Sequence, residues 1–227
     1  MKTVEIIYRY WSPGAPTRPR LHDAESARLR LSDGNHAFAT LLESLSEGAG
    51  LARRVIDVDP RDLGLLQGEH SSLPQHPFAV VLGCSDARVP IELIFNEGPN
   101  DLFVVRVAGN GLGHDVLGSL WYALEHLRES LRLVVILGHS GCGAVSAAVD
   151  AFLHPLGYLS VSTSYSLRGI LDRLLIVVEA ARANSPPPMA AMSWNSRDIA
   201  TRLLRPRLPV TSRRSPLLCS VSWPVLG

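Results

Sequence analysis

Cysteine is scarce in this chain, three in 227 residues, and the number is odd. That argues against a disulfide framework and points instead to metal binding or thiol chemistry. Long apolar runs are missing too: none reaches the roughly 20 residues that span a bilayer. The N-terminus "MKTVEIIYRYWSPG" has neither the continuous apolar stretch nor the small-residue cleavage site of a secretory signal. Excess charge is also absent, because a formal net charge of +1 gives no overall electrostatic reason to expect a nucleic acid or an acidic membrane as partner. The expectation is a cytoplasmic protein with no membrane and no nucleic-acid partner. What is present, 46% hydrophobic and 19% charged residues, describes a globular chain able to bury a core, with one main domain.

The apolar pattern changes period along the chain. From Asp23 to Leu45 apolar residues fall at helical spacing behind an Asp cap, which predicts one or two helices. Three short runs rich in Val, Ile and Leu follow, "FAVVLG" at 78–83, "LFVVRV" at 102–107 and "LVVILG" at 133–138, separated by segments long enough for crossovers. Such runs predict a parallel sheet. Between the second and third, Val116, Leu117, Leu120, Leu124 and Leu127 share one helical stripe, with Asp115 placed to cap the helix. A later helix is predicted from Leu167, Ile170, Leu171, Leu174, Leu175 and Val178. The fold class is α/β, a parallel sheet flanked by helices.

Two of the strand runs end alike, in "VVLGCSD" and "VILGHSG", so Cys84 and His139 each stand just beyond the carboxyl end of a buried strand. In an open parallel sheet that edge is where ligands bind. If the two strands are neighbours, Cys84, His139 and Cys142 converge. Two soft thiolates and an imidazole suit zinc, and three protein ligands with a fourth position open is the catalytic pattern. The bland alternative makes Cys84 and Cys142 small buried hydrophobes, and His139 a satisfied turn residue. Asp86 and Arg88, at alternate positions after Cys84, share a face in an extended segment. An ordinary surface ion pair is the plain alternative for them.

These residues resemble the β-class carbonic anhydrases. The likeness rests on "CSDARVPIELIF" at 84–95, "DLFVVRVAGN" at 101–110, "GHSGCGAV" at 138–145 and the intervening "VLGSLWYALEHL", and covers roughly residues 34–150. It implies zinc held by Cys84, His139 and Cys142, and reversible hydration of carbon dioxide to bicarbonate. It also implies substrate-pocket roles for Gln75, Phe103, Tyr122 and Gly143, and a homodimer or higher homo-oligomer.

The same resemblance implies roles for the charged pair. The Asp86 carboxylate would accept a hydrogen bond from the attacking oxygen and aim it at the carbon of carbon dioxide, while Arg88 holds Asp86 away from the metal. Gln75 and the Gly143 amide would donate to a substrate oxygen. If Asp86 leaves Arg88 it becomes a fourth ligand and closes the site, a state expected to be favoured at low pH. Two alternatives stay open: hydrolysis of carbonyl sulfide or carbon disulfide by the same chemistry, and an inactive zinc-binding member of the family.

Two further patterns are discounted. "GNGLG" at 109–113 brushes against a dinucleotide loop but lacks the full fingerprint spacing. "GHSGCG" has Cys142 where a nucleophile elbow needs its second glycine. The expected organisation is an N-terminal extension over 1–22, a zinc domain over 23–183, and an atypical tail over 184–227.

That tail carries seven prolines and six arginines against one acid, Asp198, and no terminal strand is evident in it. It reads either as a basic disordered segment for an anionic partner or as a frame change in a GC-rich gene. The coding bias is suggested by a single lysine, Lys2, among the cationic residues. Either way the tail bears on whether the chain can assemble, and no role is assigned to Cys219.

Overall fold

The three apolar runs form the centre of a parallel sheet. The computed structural model describes residues 2–11, 19–46, 50–64, 74–161, 164–183 and 218–219. Strands β3 (Ala79–Gly83), β4 (Leu102–Arg106) and β5 (Leu133–Leu137) match the predicted runs to within a residue at each end. Central β3 lies between the other two, and the register sets Gly83 opposite both Arg106 and Leu137. All five residues of β3 are buried, as expected of a strand covered on both faces.

The pleat sends alternate side chains to opposite layers. Ala79 and Val81 join Leu133 and Val135 against helix α1 (Ala24–Glu43) and the short helix α2 (Ile91–Phe95). On the other face Val80 and Val134 meet Ala123 of α3 (His114–His126). Asp23 caps α1 as expected, its carboxylate accepting from the Ser26 amide at 2.7 Å. Gly34 lets α1 approach α2, because a Cβ there would overlap the Phe95 carbonyl oxygen.

At α3 the sequence reading needs correction. Gly113, not Asp115, is the N-cap; Asp115 lies in the first turn, where its charge still complements the helix dipole. The helix also turns its stripe differently: Val116 and Ala123 are buried, whereas Leu117, Trp121, Tyr122 and Leu124 face outward. After β5 come α4 (Gly143–Leu153), α5 (Pro155–Val161) and α6 (Tyr165–Ala183), with Leu171, Leu174 and Val178 of α6 packed on Ala148 and Val149 of α4.

Residues 1–22, expected to be an extension, contribute β1 (Lys2–Tyr10), which pairs in parallel with β2 (Gly50–Val58) as a separate two-stranded sheet. The pairing follows from β-branched and aromatic side chains at alternate positions, Val4, Ile6, Tyr8 and Tyr10. Glu5 and Arg53 face each other across it, 2.8 Å apart. The readings of a disordered or frame-shifted tail fall on 184–217 and 220–227, outside the described residues. Within that tail, however, β6 (Leu218–Cys219) adds two residues in parallel to the free edge of β5, a strand the tail's composition did not signal. Among the described residues no helix is long and apolar enough to cross a membrane.

Candidate metal centre

Because β3 and β5 are hydrogen-bonded neighbours, Cys84 and His139 emerge side by side from their carboxyl ends. The turn after His139 places Gly141 in the left-handed region, φ 63°, and brings Cys142 back as N-cap of α4. The result gathers Cys84, His139 and Cys142, all buried, with their donor atoms within 4.8 Å of one another. The convergence expected from the two strand endings is therefore present in the fold.

The geometry of the three donors fits a tetrahedral ion. Two thiolates each about 2.3 Å from one zinc stand about 3.8 Å apart, and the Cys84 and Cys142 sulfurs are separated by 3.8 Å. His139 Nδ1 lies 2.9 Å from the Ser140 carbonyl oxygen. That contact assigns the proton to Nδ1 and leaves Nε2 as the free lone pair. Nε2 is buried and has no hydrogen-bond partner among the described residues. An orphaned buried nitrogen between two thiols is unfavourable unless something coordinates it. This counts against the reading of His139 as a satisfied turn residue.

Burial pushes the Cys142 thiol up, and the neighbouring Cys84 adds to the shift. Backbone N–H groups of Val145 and Ala144, at the start of α4, oppose it. A dication would reverse the balance, since a coordinating thiol gives up its proton.

Asp86 is held beside this cluster rather than in it. Arg88 Nε donates to Asp86 Oδ1 at 3.0 Å and Nη2 to Oδ2 at 2.7 Å, while the Arg88 backbone amide donates to Oδ1 at 2.9 Å. Arg88 Nη2 also reaches the Gly141 carbonyl oxygen at 3.1 Å, so the same guanidinium ties Asp86 to the ligand-bearing turn. These bonds, the Arg88 side chain first, hold the Asp86 carboxyl well below the usual carboxylate range. Asp86 is therefore ionised at any pH near neutrality. Its Oδ2 stands 4.0 Å from His139 Nε2.

The remaining sequence candidates divide. Gly143 opens α4 directly after Cys142. Phe103 pairs with Val80, so it lies three residues, roughly 10 Å, back from the strand ends that carry the cluster. Tyr122 accompanies it, their ring centroids 6.3 Å apart. Gln75 is exposed, ahead of the amino end of β3. Within one chain, then, Gln75, Phe103 and Tyr122 are not brought together with Cys84, His139 and Cys142.

Sequence reasoning also missed three residues. Arg106 donates to the carbonyl oxygens of Cys84 and Asp86 at 3.1 and 2.7 Å, pinning the loop that presents both side chains. Gly109 donates its amide to the Cys84 sulfur at 3.4 Å, and Asn110 donates its side-chain amide to the Leu137 carbonyl oxygen at 2.8 Å. The only signal for the last two was the leftover pattern "GNGLG".

Comparison with known proteins finds likeness over the part of the chain that carries these residues. Residues 79–186 match the family model described as carbonic anhydrase. The carbonic anhydrase of Mycolicibacterium smegmatis is 49% identical over 121 residues, 53% of this chain and 50% of that protein. Carbonic anhydrase 2 of Mycobacterium tuberculosis H37Rv is 51% identical over 77 residues, 34% of this chain and 36% of that protein. The matched region thus spans about half, or less, of the length of these relatives. The solved structure of the beta-carbonic anhydrase CcaA aligns with a TM-score of 0.47 and 23% identity, over 78% of this chain and 68% of that one. The matched residues 79–186 carry Cys84, Asp86, Arg88, His139 and Cys142, so the likeness to the carbonic anhydrases takes in the buried trio and the Asp86–Arg88 pair.

Proposed function

We propose that the chain catalyses the reversible hydration of carbon dioxide to bicarbonate and a proton, with zinc held by Cys84, His139 and Cys142. The observation that carries this reading is the buried trio with its orphaned His139 Nε2, set beside an ionised carboxylate clamped by Arg88. When bound, zinc supplies the Lewis acidity that lets water lose a proton near neutral pH.

The protein's part is orientation. An ionised carboxylate only accepts hydrogen bonds, so an O–H group beside Asp86 Oδ2 must point its hydrogen there and turn its lone pair elsewhere, toward the carbon under attack. Arg88 fixes Asp86 for that task with three bonds from a single residue. The depressed Asp86 titration means that mild acid does not free it by protonation. Moving Asp86 onto the metal, the closed state, requires breaking the Arg88 clamp instead. The Gly143 amide, first in α4, is the donor we assign to a developing substrate oxygen.

Gln75, Phe103 and Tyr122 are read as completing the site of a second copy of the chain, since they stand away from their own. Support comes from the outward face of α3, where Leu117, Trp121 and Tyr122 are 49%, 69% and 46% exposed. Such an apolar patch marks an interaction surface, and a homo-oligomer is the assembly we propose. Trp121→Glu is expected to shift the protein toward monomer in analytical ultracentrifugation and to lower hydration activity with it. An unchanged sedimentation coefficient would count against this surface. The reducing cytoplasm, which keeps thiols available to a metal, is the proposed compartment.

Asp86→Asn tests the catalytic assignment. The amide keeps the shape and loses the charge, so zinc content is expected to stay at the wild-type level while the hydration rate falls about 10²- to 10⁴-fold. A variant with full zinc and wild-type turnover would remove Asp86 from the mechanism.

A further inference from the structure

We propose that the turn Ala108–Asn110 is a positioning element that sets the spacing of the metal ligands, with Gly109 and Asn110 as its working residues. The inference rests on the zinc reading of Cys84, His139 and Cys142 above.

The strand order makes the turn unusual. β4 and β5 are not neighbours, since β3 lies between them, and their ends stand about 10 Å apart at ordinary strand spacing. The turn that follows β4 crosses the end of β3 and touches both ligand-bearing strands. Gly109 N–H meets the Cys84 sulfur at 3.4 Å, beyond β3. Asn110 Nδ2 meets the Leu137 carbonyl oxygen at 2.8 Å, the last of β5 and two residues before His139. Three residues thus bind one metal ligand directly and the strand end that leads to a second.

The backbone explains the residue types. Gly109 and Asn110 are consecutive left-handed residues, φ 65° and 58°. A Cβ at Gly109 would stand 2.7 Å from Leu174 Cδ1 and 3.1 Å from Ala144 Cβ, so the turn is wedged beneath α6 and α4, and a side chain at this left-handed position would be strained and would displace Leu174. Asparagine is among the few other residues that adopt this region readily, and it brings a donor. Its Oδ1 is buried with no hydrogen-bond partner among the described residues, so the contact it makes is through Nδ2 alone. The pattern "GNGLG", too short for a dinucleotide loop, acquires a use here.

A positioning role predicts an effect on the metal that a merely structural role does not. Asn110→Gly accepts the left-handed backbone and removes only the side chain. Asn110→Asp keeps the shape and replaces the donor by an acceptor. Zinc affinity, measured by competition with a chromophoric chelator, is expected to weaken about 10- to 100-fold in both, the usual consequence of losing an outer-shell partner. The sulfur-to-metal charge-transfer bands of the cobalt-substituted protein are expected to shift, while the metal-free melting temperature of Asn110→Gly stays near wild type.

Wild-type affinity and unchanged cobalt bands in both variants would overturn the proposal, as would a lowered metal-free melting temperature with zinc affinity intact. If Asn110→Gly does not fold, the cobalt spectrum of Asn110→Asp decides in the same terms. Failure of the wild-type protein to bind zinc would instead overturn the reading on which the proposal rests.

Discussion

Replacing Cys142 by serine is expected to strip the protein of the proposed zinc and abolish the proposed carbon dioxide hydration without unfolding it. A serine hydroxyl stays protonated where a thiol coordinated to a dication does not. Zinc binding in small protein sites is worth about 10–16 kcal/mol. Losing one donor of three or four should then weaken affinity by at least about 10²-fold. Elemental analysis after dialysis against a mild chelator should find zinc near zero per chain, against near one for wild type. The exchange removes little volume at a site 2% exposed, so the metal-free forms of variant and wild type should melt within a few degrees of each other. Full zinc occupancy in Cys142→Ser would remove Cys142 from the ligand set.

The largest effect on stability is expected far from the metal, at Glu97. This carboxylate is 2% exposed and pairs with Arg30 of α1, whose Nε donates to it at 2.9 Å and whose Nη2 makes a second, shorter bond to it. Arg30 also lies 3.0 Å from Asp101 and 4.5 Å over the Phe78 ring. The cluster fastens α1 to the amino-terminal edge of the sheet, opposite the edge that carries Cys84. Removing one partner of a buried pair costs about 3–5 kcal/mol, and the surviving Asp101 contact puts Glu97→Ala at the low end, about 3 kcal/mol. For a chain of this size that lowers the melting temperature by about 6–12 °C. Zinc content should not change. A melting temperature within a degree or two of wild type would show that the pair contributes little to the fold.

The parts of the fold that were legible are those governed by local pattern. Continuous apolar runs located β3, β4 and β5, and the Asp23 cap located α1, because burial and capping act over a few neighbouring residues. Strands β1 and β2 escaped because each gains its partner across about 48 positions and neither is a continuous apolar run. Asp115 was misplaced by two positions, since an Asp in the first turn and an Asp at the cap look alike in sequence and only the backbone of Gly113 tells them apart.

At the site, the ligand candidates could be read from two strand endings of the same form. Arg106, Gly109 and Asn110 could not, because they act by reaching carbonyl and sulfur atoms on other strands, and residue type carries no record of that reach. Gln75, Phe103 and Tyr122 show the converse: a likeness in sequence assigns a role but does not say whose site a side chain serves.

The central claim is that the buried cluster beside Asp86 holds a catalytic zinc. Stopped-flow carbon dioxide hydration on purified protein with its zinc quantified tests it most directly. Rapid hydration at one zinc per chain, lost in Cys142→Ser, is the result this account predicts; full zinc occupancy with no hydration above background would contradict it.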